Sequence, residues 1–246
     1  MNILSDEFAD IPTDDGTMRM HLFRPVGSGR FPALMFFSEI YQVTGPIRRI
    51  AATLAGYGFL VGVPEVYHEF EPAGTCLAYD AESTERGNAL KITKSIAAFD
   101  RDAQVGLDYL SAHPASTGKL GTIGKCLGGH LALRAAFDER VKAAACFYPT
   151  DIHSGTLGQG RNDDTLYRLE ELKAEALFVW GRQDPHIPFT GRQQIRERLE
   201  AVGASYEWLE VNAAHAFMRD EGHRYDPVLA ARALNAAVDL FHRTLR

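Results

Sequence analysis

The sequence LGTIGKCLGG, residues 120–129, decides the fold of this chain. Residues 120–123 predict a strand, and residues 127–137 are typical of a helix. Glycines at 124 and 128 flank Cys126 with the spacing of the G-x-S-x-G nucleophile elbow, with sulfur in the place of oxygen. Such an elbow is a sharp, strained turn, so the residues two positions away must lack bulk. The helix N-terminus that follows also favours a thiolate.

A free cysteine beside glycines is also compatible with a purely structural role, since glycines allow a strand and a helix to pack closely. The strand before Cys126 and the helix after it favour the nucleophile instead. Cys76 and Cys146 have no such context, and we interpret both as structural.

Strands and helices alternate on both sides of this stretch. Further strands are predicted at 18–23 (an edge strand), 33–37, 59–63, 143–148, 176–180 and 206–209. Helices are predicted at 46–56, 90–112, 192–202 and 227–245, with irregular segments at 65–88 and 151–162. This alternation predicts a single α/β domain over residues 1–246, with a mostly parallel sheet covered by helices on both faces.

Composition narrows the functional classes. The 246 residues carry a net charge of -6 and no basic patch, which argues against nucleic-acid binding. No stretch approaches the ~18 consecutive apolar residues of a membrane span. Three cysteines make no disulfide framework, and the acidic N-terminus is unlike a signal peptide, so we expect a cytoplasmic protein with free thiols.

Two further residues complete a nucleophilic triad. On a sheet of this kind, reactive groups lie at the carboxyl ends of strands, in the chain order nucleophile, acid, histidine. Asp184 follows the predicted strand 176–180, and His215 follows the strand 206–209. We therefore predict that His215 exchanges a proton with Cys126 and that Asp184 orients the imidazole.

Other residues compete for these roles. His186 lies two residues after Asp184, and His223 lies in a polar stretch beyond the strand end; both rank below His215. A metalloenzyme is a weaker alternative, because its four available ligands lack the spacing of a zinc site: His68, Glu69, Glu71 and Cys76. No phosphate or dinucleotide motif is present, so no cofactor is predicted.

Five segments resemble the dienelactone hydrolase family (carboxymethylenebutenolidases) of the α/β-hydrolase fold. The elbow GKCLGG at 124–129 resembles the family's G-[YF]-C-x-G-G, and SEIY at 38–41 resembles its Q-E-I-[FW]. The others are VPEVY at 63–67, GRQD at 181–184 and AHAF at 214–217. The resemblance spans nearly the whole chain.

The resemblance implies further site residues. Glu39 is expected to help convert the thiol of Cys126 to a thiolate when substrate binds. The backbone N–H groups of Ile40 and Leu127 match the family's oxyanion hole, which stabilises the tetrahedral intermediate. Arg219 matches one of two arginines that hold a substrate carboxylate, and Arg86 is the nearest candidate for the other.

The expected activity is hydrolysis of a small ester or lactone, dienelactone-like and bearing a carboxylate, through an acyl-enzyme on Cys126. Lys125, where the family has an aromatic residue, and Ala214, where it has glycine, are departures that affect the pocket. The alternative is a catalytically weak member that binds a small acid. The only partner predicted is the small-molecule substrate, with no membrane or nucleic acid, for a monomer or small homo-oligomer.

Overall fold

A sheet of eight strands runs through the computed structural model, which describes residues 2–245. The strands are β1 (Ile3–Thr13), β2 (Gly16–Pro25), β3 (Phe31–Phe37), β4 (Leu60–Pro64), β5 (Ser116–Lys125), β6 (Val141–Phe147), β7 (Glu175–Gly181) and β8 (Tyr206–Val211). Their order across the sheet is β1-β2-β4-β3-β5-β6-β7-β8. β2 is antiparallel to both β1 and β4, and every other neighbouring pair is parallel. The predicted mostly parallel sheet is confirmed.

Helices cover both faces of this sheet. They are α1 (Gly45–Gly56), α2 (Ala81–Thr93), α3 (Ile96–Ala112), α4 (Leu127–Ala135), α5 (Thr165–Arg168), α6 (Phe189–Ala201) and α7 (Pro227–Thr244), with a 3₁₀ turn at Leu169–Glu171. Leu34 and Met35 are consecutive in β3 and therefore point to opposite faces. A β-carbon built on Gly106 of α3 would touch Met35, whereas one built on Gly121 would touch Leu34 and Phe241 of α7. Helices α3 and α7 thus lie on opposite faces.

Local sequence fixes where several helices begin. Asp80, Ser95 and Asp226 are the N-caps of α2, α3 and α7, and the side chain of each accepts hydrogen bonds from backbone N–H groups of the first turn. Among residues 2–245, no helix is long and apolar enough to cross a membrane.

The prediction of an edge strand at 18–23 is wrong in one respect. These residues form part of β2, which lies between β1 and β4, and β1 is the edge of the sheet. β1 pairs with β2 along an antiparallel backbone ladder, and the ion pairs Arg19–Asp10 and Arg24–Glu7 also join the two strands. Within β1, Ile11 alone is buried. Such a strand carries little hydrophobic periodicity for a sequence to reveal.

The single helix predicted at 90–112 is two helices. Helix α2 ends at Thr93 and α3 begins at Ile96, and α2 starts nine residues earlier than predicted, within a segment expected to be irregular. The break lies at Lys94, whose fully buried ammonium contacts carboxylate oxygens of Glu69 and Asp102. These tertiary contacts override the continuous helical periodicity.

Candidate active site

Cys126 lies on a strained turn between β5 and α4. Its backbone has φ 57° and ψ −123°, a conformation that side-chain-bearing residues rarely adopt. The turn is enclosed by backbone: a β-carbon on Gly124 would lie 1.9 Å from the carbonyl oxygen of Gly128, and one on Gly128 would lie 2.1 Å from that of Phe37. Only glycine fits at either position. The predicted elbow is thus the local conformation of this stretch.

Asp184 and His215 meet at the carboxyl ends of β7 and β8. His215 Nδ1 lies 2.5 Å from Asp184 Oδ2, and both side chains are almost wholly buried. An ionised carboxylate only accepts hydrogen bonds, so Nδ1 carries the proton and donates. The second oxygen of Asp184 accepts from the backbone N–H of His186 at 2.8 Å. The carboxylate therefore fixes the orientation of the imidazole.

The other side of the imidazole faces sulfur. Cys126 and His215 line the same cavity, and the charge of Cys126 acts on the imidazole. Burial lowers the pKa of His215, but the charge of Cys126 and the hydrogen bonds to Asp184 and Cys126 raise it more, to about 10. The raised pKa of His215 therefore favours the imidazolium form of this side chain, which lies between Asp184 and Cys126.

A cavity of about 250 Å³ opens above the sulfur. Glu39, Ile40 and His215 line it together with Cys126, which is partly exposed to it. Leu127 is the first residue of α4, where backbone N–H groups have no acceptor within the helix. Leu127 follows Cys126 directly in the chain, and Ile40 also lines the cavity.

Glu39 is a buried carboxyl group at the edge of this cavity. Its side chain is 2% exposed, and Oε2 has no hydrogen-bond partner among the described residues. A buried polar group without a partner carries a desolvation cost, and active sites are where such groups concentrate.

Basic side chains form much of the remaining wall. Lys91, Arg219 and Arg224 line the cavity. The ammonium of Lys91 lies 3.0 Å from each carboxylate oxygen of Asp151, so its charge is largely matched. The guanidinium of Arg219 stacks on Tyr79, 4.4 Å from the ring centroid, and its buried Nε has no partner within residues 2–245.

One wall of the cavity comes from a single face of α2. Thr84, Asn88 and Lys91 line the cavity and are spaced by four and three residues along the helix. Side chains at this spacing share one helix face. The sequence analysis missed this wall because it placed most of α2 in an irregular segment.

The structure does not bring Arg86 into the cavity. Its Nε donates to Glu71 at 2.7 Å, and its side chain is half-exposed. The prediction that Arg86 holds a substrate carboxylate is therefore not supported by this geometry. Arg86 lies outside the cavity because its position along α2 places it off the helix face that carries Thr84, Asn88 and Lys91.

The competing histidines occupy different positions. His186 lines the cavity, and its ring centroid lies 4.7 Å from that of His215, edge to face. Burial, followed by the charge of His215, lowers the pKa of His186. His223 lines a neighbouring cavity instead. Only His215 combines contact with the sulfur and a carboxylate partner.

The four residues considered as metal ligands do not come together in one cluster. His68 and Glu69 approach each other together with Asp102, with ligand atoms within 4.8 Å of one another. The ammonium of Lys94, 2.6 Å from Glu69 Oε1, lies against these same carboxylates. The ammonium of Lys94 thus occupies the position beside these carboxylates that a metal ion would take. Glu71 pairs with Arg86, and Cys76 donates to a backbone carbonyl.

Sequence and structure comparisons identify relatives. The model of the dienelactone hydrolase family matches residues 18–245. A Saccharomyces cerevisiae protein named "Putative carboxymethylenebutenolidase" is 41% identical over 256 residues, which cover 99% of this chain and 93% of that protein. The Pseudomonas putida protein named "Carboxymethylenebutenolidase" is 31% identical over 214 residues, covering 85% and 84%.

A solved structure supports the fold. The Klebsiella pneumoniae protein named "Putative Dienelactone Hydrolase" matches with a TM-score of 0.85 at 22% identity, covering 99% of this chain and all of that one. The sheet order, the elbow and these matches agree on the α/β-hydrolase fold, and the sequence matches narrow it further: the chain belongs to the dienelactone hydrolase family.

Proposed function

We propose that this protein hydrolyses small esters or lactones that carry a carboxylate, through a covalent acyl-enzyme on Cys126. The observation that carries the proposal is that Cys126 and His215 line one cavity, with the imidazole of His215 hydrogen-bonded to the buried carboxylate of Asp184. Membership of the dienelactone hydrolase family supports a hydrolase acting on lactones or esters. Two relatives named as carboxymethylenebutenolidases agree with this class.

In the first half of the reaction, the thiolate of Cys126 attacks the carbonyl carbon of the substrate. The carbonyl oxygen takes up negative charge, which the backbone N–H groups of Ile40 and Leu127 stabilise. The tetrahedral intermediate then expels the ring oxygen of a lactone, or the alcohol of an ester. His215 delivers its proton to that leaving oxygen, and the acyl group remains on sulfur.

In the second half, water enters and His215 acts as the general base. It removes a proton from the water as the oxygen attacks the thioester, and the same oxyanion donors stabilise the second intermediate. Collapse releases the carboxylic acid and returns the sulfur to its thiolate. Asp184 keeps the imidazole oriented in both halves.

Glu39 is proposed as an additional proton acceptor for the thiol. It is buried beside the cavity with one oxygen unpartnered, so a small side-chain rotation offers this oxygen to a nearby proton. Its role is to draw the proton from Cys126 when substrate is bound, which limits thiolate exposure in the free enzyme.

The cavity supports an anionic substrate. Arg219 and Arg224 contribute positive charge beside the sulfur, and a buried guanidinium recognises a carboxylate by charge-assisted hydrogen bonds. The same positive charge also favours the alternative of a small-acid-binding protein with weak turnover.

The test is steady-state hydrolysis of cis- and trans-dienelactone, with p-nitrophenyl acetate run in parallel. Wild type is compared with Cys126→Ala, and Cys76→Ser is the matched control, since its thiol lies outside the cavity. We expect lactone opening that is lost in Cys126→Ala and retained in Cys76→Ser. Turnover that persists in folded Cys126→Ala would refute the proposed nucleophile. Binding without turnover by wild type would favour the acid-binding alternative.

A further inference from the structure

Five side chains line two cavities at once. The cavity above Cys126 and a neighbouring cavity of about 540 Å³ share the residues Tyr41, Thr84, Asn88, Arg219 and Arg224. Glu85 and His223 also line the neighbouring cavity, and both are exposed to solvent. A side chain that lines two cavities lies between them. The shared residues therefore separate the space above the sulfur from a larger space that opens to solvent.

Tyr41 is held at the boundary between the two cavities by its backbone, its ring and its hydroxyl. Its backbone carbonyl accepts a hydrogen bond from the N–H of Leu77 at 3.1 Å. Its ring packs edge to face on Tyr79, with 4.7 Å between the ring centroids, and the guanidinium of Arg219 lies 5.4 Å from its centroid. Its hydroxyl oxygen lies 2.8 Å from that of Thr84. The position of the phenol is thus restrained from three directions.

The direction of the hydrogen bond between Tyr41 and Thr84 follows from the other partner of Thr84. The hydroxyl of Thr84 has one proton, which it donates to the backbone carbonyl of Asp80 at 2.5 Å. A carbonyl oxygen only accepts, so the phenol of Tyr41 is the donor to Thr84. The bond joins the segment after β3 to helix α2. We call Tyr41 and Thr84 the partition.

Backbone packing keeps α2 close enough for this bond. Gly87 follows Thr84 by three residues and so lies on the same face of the helix. A β-carbon on Gly87 would lie 2.6 Å from the carbonyl oxygen of Ile40, which precedes Tyr41. Glycine inside a helix costs about 0.5–1 kcal/mol relative to alanine, and the close approach to Ile40 accounts for its presence. The helix and the segment of Tyr41 therefore meet through main chain as well as side chains.

We propose that Tyr41 and Thr84 determine substrate size in the hydrolysis proposed above: their hydrogen bond closes the cavity above Cys126 to the neighbouring cavity and restricts the enzyme to compact substrates, such as a single-ring lactone. Without the bond, the acyl chain of a longer ester extends past the partition into the neighbouring cavity. The inference rests on the proposed function for the reaction and on the geometry alone for the partition.

The test compares esters that differ only in acyl length. The values of kcat/KM for p-nitrophenyl octanoate and p-nitrophenyl acetate are measured in wild type, Tyr41→Ala and Thr84→Ala, and their ratio is the readout. Room for added methylene groups changes such a ratio strongly, so we expect the octanoate-to-acetate ratio to rise by at least about tenfold in both variants. Thr93→Ala is the matched control, because it removes a hydroxyl of the same helix that donates to a backbone carbonyl outside both cavities. It should keep the wild-type ratio.

Two further variants test the hydrogen bond apart from the bulk of its partners. Tyr41→Phe and Thr84→Val keep the side-chain size and remove the bond. We expect each to raise the ratio by less than the corresponding alanine variant, because the ring or the methyl groups still fill part of the boundary. An unchanged ratio in both of these folded variants, or an equal rise in Thr93→Ala, overturns the proposal. If Tyr41→Ala does not fold, Thr84→Ala, which loses less volume, carries the comparison.

A labelling measurement tests the partition without turnover. Cys126 is partly exposed to the cavity, so maleimides modify it at rates that depend on the room above the sulfur. The rates for N-ethylmaleimide and the much larger N-(1-pyrenyl)maleimide are followed at Cys126 by peptide mass spectrometry. We expect the pyrenyl reagent to gain relative to the ethyl reagent in Thr84→Ala and not in Thr93→Ala. A wild type that hydrolyses neither ester contradicts the proposed function alone, whereas an unchanged labelling ratio in Thr84→Ala contradicts the partition.

Discussion

Gly128 lies against the backbone of β3, where a β-carbon would come within 2.1 Å of the carbonyl oxygen of Phe37. The contact joins the elbow to the strand that leads into Glu39 and Ile40. The turn that carries Cys126 and the segment that carries Glu39 and Ile40 are therefore held together by close backbone packing.

This contact predicts that Gly128→Ala is severely disruptive. The added carbon meets the backbone of β3 and of the residue after it, so relief requires a shift of main chain, and we expect a loss of more than about 3 kcal/mol in the free energy of unfolding. Thermal and denaturant unfolding measure it. Gly56→Ala is the control: its added methyl group meets no atom within 4 Å, so we expect the free energy of unfolding to change by no more than about 0.5 kcal/mol. Equal stability of the two variants would contradict the argument.

Asp184→Asn tests the orientation of the imidazole. The amide keeps the size of the side chain but offers His215 the wrong hydrogen-bonding pattern, and we expect kcat to fall by roughly 10³–10⁴-fold with KM little changed. The rate of p-nitrophenyl acetate hydrolysis measures this. Asp239→Asn on the exposed face of α7 is the control and should retain full activity. A tenfold or smaller loss in Asp184→Asn would show that Asp184 does not serve as the orienting acid.

The raised pKa of His215 predicts a pH dependence of stability. The imidazole has an ordinary pKa of 6.5; burial lowers it, but the Cys126 charge and the bonds to Cys126 and Asp184 raise it to about 10 in the folded protein. Stabilisation by this proton is thus complete below pH 6.5 and is lost as pH rises to about 10. We expect the free energy of unfolding of wild type, relative to His215→Gln, to fall across this window.

Denaturant unfolding at a series of pH values measures that difference. Cys126→Ala supplies the control, because it removes the largest of the contributions that raise the pKa of His215. The fall should become smaller and end at lower pH in this variant. A pH profile that is the same in wild type and His215→Gln would rule out the charged imidazole.

Arg219 and Arg86 form a matched pair for substrate recognition. Arg219 lines the cavity, and Arg86 is bound to Glu71 outside it. We expect Arg219→Met to lower kcat/KM for a carboxylate-bearing lactone by roughly 10- to 100-fold, the value of a charged hydrogen bond, and to leave p-nitrophenyl acetate nearly unaffected. Arg86→Met should change neither. A larger loss of kcat/KM in Arg86→Met than in Arg219→Met would contradict this assignment and support Arg86 as the residue that holds the substrate carboxylate.

The sequence was sufficient for features that depend on local chain geometry. The elbow requires small residues at fixed spacing, and the acid and base follow strands whose apolar runs are visible in the sequence, so Cys126, Asp184 and His215 were predicted together. Their contact in the structure follows from the parallel order of β5 to β8, which brings the carboxyl ends of these strands to one edge.

What the sequence could not reveal depends on long-range contacts. Nothing near Lys94 in the chain signals that Glu69 and Asp102 will bury its ammonium and end α2. Lys125 likewise resembles any strand-end lysine in the sequence, and its complete burial is visible only in the folded structure. The side of α2 that faces the cavity, and with it the exclusion of Arg86, also requires the packed structure.

The wall that α2 supplies has a consequence for how this enzyme can diversify. Thr84, Asn88 and Lys91 shape the cavity from one helix, whereas the proposed triad residues follow strand ends elsewhere in the chain. Substitutions at these three positions therefore change the volume and the charge of the cavity and leave the proposed triad residues in place. The substrate range of this fold can therefore change through substitutions in one short helix, so a mutant library aimed at substrate specificity should target α2.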